Sequence, residues 1–134
     1  MIVTGEHVAR FVSRRLDFPL CPPYTTLGIE RDGLLMGGVI LNQFEGADVH
    51  LTAAGSLWTP AFMHAVGYYI FDQLGCARFT MKTEDEEVVK YAKRLGGEVE
   101  GILRDHFGQG RDAVIIGVLK NAYRFYRKAE TEQG

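Results

Sequence analysis

The sequence has little of several features that define specialised classes of protein. It contains only two cysteines, Cys21 beside two prolines and Cys76 inside an apolar run, and this spacing does not indicate a disulfide framework. No apolar run approaches the roughly 18 residues of a membrane span, and charged residues interrupt the N-terminal stretch where a secretory signal would be apolar. We therefore expect no membrane partner and a cytoplasmic location.

An excess of positive charge is also missing. The chain has 15 Lys and Arg against 17 Asp and Glu, a formal net charge of -2, whereas a protein that holds a polyanion needs clustered cations. One basic stretch, residues 120–128, includes three aromatic residues, and we interpret it as a final strand or helix with one solvated side. His7, His64 and His106 have no metal-ligand spacing with one another or with cysteine. Neither nucleic acid nor a metal ion is therefore expected as a partner.

What is present is the composition of one globular domain. The 134 residues are 46% hydrophobic and 24% charged, a balance that supports a packed core. No internal repeat or low-complexity linker divides the chain. We predict a single domain over residues 1–127, followed by a charged, disordered tail over residues 128–134.

Apolar periodicity and turn signals predict an α/β chain. Thr4 stands at the N-cap position of an amphipathic first helix. Asp32 and Gly33 supply the positive φ angles of a tight hairpin, and Thr59 followed by Pro60 is typical of a helix start. The predicted order is α-β-β-β-α-β-α-β-β, with helices over 4–16, 60–75 and 84–95 and strands over 24–30, 34–44, 49–54, 76–81, 99–103 and 113–119.

Three segments carry a resemblance to a known family. Residues 93–105 read KRLGGEVEGILRD, residues 28–40 read GIERDGLLMGGVI, and residues 71–78 read FDQLGCAR. In this order and spacing they are similar to the GNAT superfamily of N-acetyltransferases, and the first segment resembles its ribosomal-protein alanine and serine acetyltransferase branch. The resemblance implies a mixed, mostly antiparallel central sheet flanked by helices, with the family's first strand absent from this chain.

The same resemblance implies a site for acetyl-CoA. The cofactor would lie in a V-shaped opening between the third strand and the strand after the next helix, with its pyrophosphate on the amides at that helix's N-terminus. The family's Q/R-x-x-G-x-G/A signature is reduced here to Gly55, because Leu57 and Trp58 occupy the turn. The implied cofactor-binding residues are Leu51, Ala53, Gly55, Ser56, Leu57, Trp58, Thr59 and Asp85.

Two residues are candidates for proton transfer in acetylation. His50 on the third strand is the candidate base, with Asp48 and then Glu45 as the nearest alternatives. Tyr91 is the candidate acid, although it lies one position before the family's tyrosine, where Ala92 stands, and so is rotated by about 100° on the helix. No metal takes part in this scheme.

Two functions fit these observations. The first is an acyl-CoA-dependent N-acyltransferase that moves acetyl to an amine, either a protein N-terminus or a small amine. The alternative is a catalytically inactive GNAT-fold module for binding or assembly, of phage or prophage type, which the reduced glycine signature favours. A missing edge strand also makes a homodimer a hypothesis.

Overall fold

The computed structural model describes residues 1–19 and 21–126, and these residues form one sheet with helices on both faces. In chain order the elements are β1 (Ile2–Val3), α1 (Glu6–Leu16), β2 (Tyr24–Arg31), β3 (Leu34–Asn42), β4 (His50–Gly55), α2 (Pro60–Gly67), a π-helical segment (Tyr68–Gln73), β5 (Arg78–Thr83), α3 (Glu86–Arg94), β6 (Glu98–Leu103) and β7 (Ala113–Leu119).

The sheet confirms the predicted fold class. Its strand order is β1-β2-β3-β4-β5-β7-β6, and every neighbouring pair is antiparallel except β4 with β5. From α1 onward the predicted order of helices and strands is also observed, and element boundaries shift by only a residue or two outside the second helix.

The expected absence of the first strand was wrong. Ile2 and Val3 pair with Ile29 and Gly28 on β2, and the Met1 amino group donates to the Glu30 carbonyl at 2.9 Å. Two residues are too few to show the alternation by which a strand is read from sequence. One edge of β2 is therefore partly covered, which weakens the original reason for expecting a homodimer.

Thr4 does not cap the first helix. Gly5 is the N-cap residue and provides no side-chain cap. The Thr4 hydroxyl instead donates to the Thr26 carbonyl at 2.7 Å, because the short β1 places Thr4 beside β2. The threonine therefore fixes the connection between β1 and α1 to the sheet.

Two further predictions differ from the structure at helical or terminal segments. The helix expected over 60–75 changes to π-helical geometry after Gly67, a change that apolar periodicity does not reveal. Residues 120–126 form turns rather than a strand or helix, because Tyr123 is buried and its ring packs against Phe71 and Phe79 at 5.7 Å in each case. The tail over 128–134 lies outside the described residues, so the domain boundary stays a prediction.

The two faces of the sheet are covered differently. The first, which we call the helix-pair face, packs against α2, the π-helical segment and α3 and holds the larger core. The second, the α1 face, is covered by α1 over β2, β3 and β4. A Cβ on Gly38 would lie 2.9 Å from Val8 Cγ1 and 3.0 Å from Val12 Cγ2, so glycine is what lets α1 lie this close to β3.

Within residues 1–19 and 21–126, no helix is long and apolar enough to cross a membrane.

Candidate active site

The parallel strands β4 and β5 separate in the middle of the sheet. They share one bridged pair, His50 with Thr80, and Thr80 N donates to Val49 O at 2.9 Å just before it. Among the described residues no ladder pair joins the two strands beyond this point. The sheet therefore has an opening where the resemblance implies one.

A cavity of about 470 Å³ occupies this opening. That volume lies within the range of roughly 300–1,000 Å³ typical of small-molecule sites. Most of its lining is apolar and comes from both sheet strands and helices, while its charged lining residues are two cations and two anions. The apolar lining includes Val39, Leu51, Ala53, Trp58, Met63, Phe79, Met81 and Val88, and the charged residues are Arg15, Arg94, Asp85 and Glu87.

The structure brings together only part of the predicted site. Leu51 and Ala53 alternate along β4 and so project from the same face of the strand into the cavity. The predicted residues that line the cavity are Leu51, Ala53, Gly55, Trp58, Asp85 and Tyr91. The predicted residues outside its lining are His50, Ser56, Leu57 and Thr59.

The turn from β4 to α2 depends on Gly55. Its φ of 100° is a left-handed conformation, and a Cβ there would collide with the Met36 carbonyl oxygen. Leu57 is also left-handed, with φ 71°, and the Thr59 hydroxyl accepts from Phe62 N at 3.2 Å as the N-cap of α2. The turn is therefore a tightly specified bend with one glycine rather than the family's glycine-rich one.

Only some of the backbone amides at this turn donate a hydrogen bond within the described residues. Ser56 N donates to Met36 O at 2.9 Å and Thr59 N donates to Leu57 O at 2.8 Å. Within the described part of the chain, the amides of Leu57, Trp58 and Ala61 have no hydrogen-bond partner. Free amides at a helix N-terminus attract anions through their N–H groups and the helix dipole.

Trp58 forms a wall of the cavity. Its ring lies 5.8 Å from the Phe62 ring, centroid to centroid. A Cβ on Gly37 would be 3.2 Å from Trp58 Cη2, so the indole rests directly on β3. Trp58 therefore packs against the sheet and lines the cavity at the same time.

His50 lies at the closed end of the opening, on the α1 face. Its Nδ1 is 3.3 Å from Asn42 Oδ1, and its Nε2 is buried with no hydrogen-bond partner among the described residues. Burial, with smaller contributions from Lys82 and His106 and against an opposing one from Asp48, lowers the pKa of His50 to about 4. The imidazole is therefore neutral at pH 7.

The alternative bases are placed differently from His50. Both carboxylate oxygens of Asp48 accept from the Thr80 hydroxyl, at 2.8 and 3.0 Å, and Arg78 Nε lies 3.6 Å from the same carboxylate. Glu45 is exposed in the loop before β4. The Asp48 carboxylate thus has hydrogen-bond and ion-pair partners, whereas among the described residues His50 Nε2 has no hydrogen-bond partner.

Tyr91 faces the cavity from α3. Ala92, which stands at the family's tyrosine position, is fully buried in the core, so the rotation by one residue brings Tyr91 rather than Ala92 to the cavity. Burial raises the pKa of Tyr91, although Arg94 and Arg124 act against it. The phenol therefore keeps its proton at neutral pH.

Asp85 serves as the N-cap of α3 at the lip of the cavity. Its Oδ1 accepts from Glu87 N at 2.9 Å. This capping hydrogen bond fixes the position of the carboxylate whether or not a ligand is bound.

Sequence reasoning missed several cavity residues. Arg15 reaches the cavity from the end of α1, and its guanidinium carbon lies 4.6 Å from the Phe11 ring centroid. Tyr123 also lines the cavity and donates from its hydroxyl to Met63 O at 2.7 Å. The aromatic cluster around Tyr123 was visible in the sequence, but no pattern linked either residue to β4.

Comparison with solved structures identifies the fold. No family model matches the sequence, and no curated protein matches it. The opened sheet and its neighbouring helices instead match structures of N-acetyltransferases, so the chain has the GNAT fold.

Three of these structures illustrate the match. A mutant of the spermidine N-acetyltransferase SpeG from Vibrio cholerae is 14% identical, covers 89% of this chain and 76% of its own, and has a TM-score of 0.65. A candidate acetyltransferase from T. thermophilus is 23% identical over 75% of this chain and 61% of its own, with a TM-score of 0.64. A chimera of SpeG and hSSAT is 17% identical over 73% and 68%, with a TM-score of 0.62. None of the three is named as a ribosomal-protein acetyltransferase, and that branch stays a prediction.

Proposed function

We propose that this chain is an N-acetyltransferase that binds acetyl-CoA in the cavity between β4 and β5 and transfers its acetyl group to an amine. One observation carries the proposal. An apolar cavity of about 470 Å³ opens between two parallel strands and adjoins a helix N-terminus with free amides. This combination suits a long ligand that is apolar along its arm and anionic at one end.

The turn and the cavity rim would hold the phosphates. The amides of Leu57, Trp58 and Ala61 supply donors without side-chain charge. Arg15 and Arg94 add positive charge at the cavity. Leu51 and Ala53 present apolar surface to the arm that leads to the thioester.

The proposed chemistry is direct attack of a neutral amine on the thioester carbonyl. The new C–N bond forms as the C–S bond breaks, the amine loses a proton, and the thiolate of CoA gains one. In this scheme Tyr91 donates to the departing thiolate, since its raised pKa keeps the phenol protonated. His50 accepts the amine's proton on the α1 face once substrate binding opens a path to its Nε2, which is buried and has no partner among the described residues.

A thiol-release assay tests this function. The purified chain is mixed with acetyl-CoA and a panel of acceptors that includes spermidine, because SpeG is named for it, and peptides with free N-termini. Release of CoA, together with a mass increase of the acceptor by one acetyl group, is the expected result. Folded protein that neither binds acetyl-CoA nor releases CoA with any acceptor would favour the alternative, a module for binding or assembly.

Two variants then assign the roles. Tyr91→Phe should lower kcat by about 10-fold or more while leaving KM for acetyl-CoA within about 2-fold, since it removes a proton donor and keeps the ring. Tyr68→Phe is the matched control, because Tyr68 is exposed and does not line the cavity. Equal kcat values for the wild type and Tyr91→Phe would remove Tyr91 from the mechanism.

The cytoplasmic location and the homodimer stay proposals. Among the described strands, β6 lies at the edge of the sheet and carries exposed Val99 and Ile102, a surface that a second copy could cover. Light scattering at high concentration is the test. A monomer throughout the concentration series contradicts the homodimer.

A further inference from the structure

We propose that Asn42 is a positioning residue that holds His50 as the Nδ1–H tautomer and so leaves Nε2 as the proton-accepting nitrogen at the closed end of the opening. The catalytic meaning of this inference rests on the proposed function. The tautomer itself does not, and it can be measured in the protein without any ligand.

The sheet register places the two side chains together. Asn42 at the end of β3 is the ladder partner of His50 at the start of β4, and directly paired residues project from the same face. Asn42 Oδ1 lies 3.3 Å from His50 Nδ1, and the Thr52 hydroxyl oxygen lies 3.4 Å from the same nitrogen. Both contacts therefore act on Nδ1 and neither acts on Nε2.

The chemistry of the pair decides which nitrogen carries the proton. A carboxamide oxygen only accepts hydrogen bonds, so the nitrogen facing it must donate. A neutral imidazole has a single N–H, and a proton on Nδ1 leaves a lone pair on Nε2.

The opposite assignment is less favourable. Were the Asn42 amide nitrogen turned toward the ring, Nδ1 would accept and Nε2 would carry the proton. Nε2 is buried and has no partner among the described residues, so that N–H would be a buried donor without an acceptor. Buried donors are left unpaired less often than acceptors, which favours the proton on Nδ1.

The charged groups around His50 keep the ring neutral. Asp48 precedes β4, Lys82 belongs to β5, and His106 lies in the loop between β6 and β7; all three influence its titration. Asp48 is committed to the Thr80 hydroxyl, so it does not compete with Asn42 for Nδ1. The burial that holds the pKa of His50 at about 4 makes the neutral ring the relevant species at pH 7.

Nitrogen NMR of the full chain reads the tautomer directly. A long-range proton–nitrogen spectrum of the ¹⁵N-labelled protein at pH 7 should show a pyrrole-type Nδ1 and a pyridine-type Nε2 for His50. His50→Gln assigns the signal by its disappearance, and the signals of the other histidines serve as the folding control. A pyrrole-type Nε2 in the wild type would overturn the inference, and this outcome needs no variant of Asn42 to fold.

Two substitutions test the cause. Asn42→Leu removes the acceptor and should shift the population toward Nε2–H, whereas Asn42→Asp keeps an acceptor and should retain Nδ1–H. Thr52→Val is the matched control for the weaker contact and should retain Nδ1–H. An Nδ1–H tautomer that persists in Asn42→Leu would show that Asn42 does not set it.

Kinetics then separate positioning from structure. Asn42→Leu should lower kcat for amine acetylation by at least about 10-fold with KM for acetyl-CoA unchanged, and Asn42→Asp should restore most of it with the pH profile displaced upward. Full activity in Asn42→Leu despite a reversed tautomer would refute the positioning role. A different outcome is a wild type that shows the Nδ1–H tautomer but lacks acetyl-CoA-dependent activity. That result would refute the proposed function and the catalytic role of Asn42, while the tautomer assignment would stand.

Discussion

The buried imidazole of His50 should make the protein less stable as the pH falls below 6.5. Its pKa is about 4 in the folded chain, against an ordinary value of 6.5. Between these values the unfolded state binds a proton that the folded state does not, so the free energy of unfolding decreases with falling pH. The linkage relation gives a loss of about 2 kcal/mol between pH 7 and pH 5. Since part of the ring is exposed, we take this figure as an upper bound.

Urea unfolding of the wild type and of His50→Gln at pH 7 and pH 5 measures this loss. Glutamine retains an amide that can bond to Asn42 but does not titrate. His7, His64 and His106 are present in both proteins, so their contributions cancel in the difference. We expect the wild type to lose up to about 2 kcal/mol more than the variant between the two pH values. An equal loss in both proteins would refute a strongly lowered pKa for His50.

Two further predictions concern stability. Gly55→Ala should destabilise the fold by about 2 kcal/mol or more, because it adds a collision with Met36 O to a strained φ. The control is Gly33→Ala, at a glycine whose φ is 77° but which has open space around it. This control should lower the free energy of unfolding by only about 1 kcal/mol. Equal losses for the two variants in urea unfolding would contradict the collision. Tyr123→Phe removes the hydrogen bond to Met63 O and should lower the free energy of unfolding by about 1–2 kcal/mol. The control Tyr68→Phe, at an exposed residue, should change stability little. An unchanged melting temperature for Tyr123→Phe would show that this hydrogen bond does not stabilise the fold.

Among the described residues, the sequence was sufficient for every strand of the sheet except β1, because the signals for the other strands are local. Asp32 and Gly33 define the hairpin between β2 and β3, and both have positive φ in the structure. Thr59 and Pro60 begin α2 as predicted. Such turn and cap preferences depend on neighbouring backbone alone, so they can be read without tertiary information.

Long-range contacts explain what could not be predicted. Arg15 lines the cavity from the end of α1, a helix that Gly28 and Gly38 allow to pack closely on the sheet. Tyr123 turns back into the core through its contacts with Phe71 and Phe79 rather than continuing a regular element. Neither arrangement has a period or a motif in the sequence.

The candidate site also combines features that local sequence signals predict with features that only long-range contacts decide. Alternation along β4 separates His50 from Leu51 and Ala53, but alternation alone does not say which face carries the cavity. The structure assigns Leu51 and Ala53 to it and leaves His50 on the α1 face. The roles of these residues in binding and catalysis remain predictions for experiment.

Isothermal titration of the folded chain with acetyl-CoA tests the central proposal most directly. We predict saturable binding that Trp58→Glu weakens by about 10-fold or more, because a carboxylate beside the free amides opposes the phosphates. The control Leu34→Glu adds the same charge at a side chain that is 68% exposed and outside the cavity lining, and it should bind like the wild type. Absence of binding heat from folded wild-type protein at high ligand concentration, with no displacement of a fluorescent CoA analogue, would contradict the account.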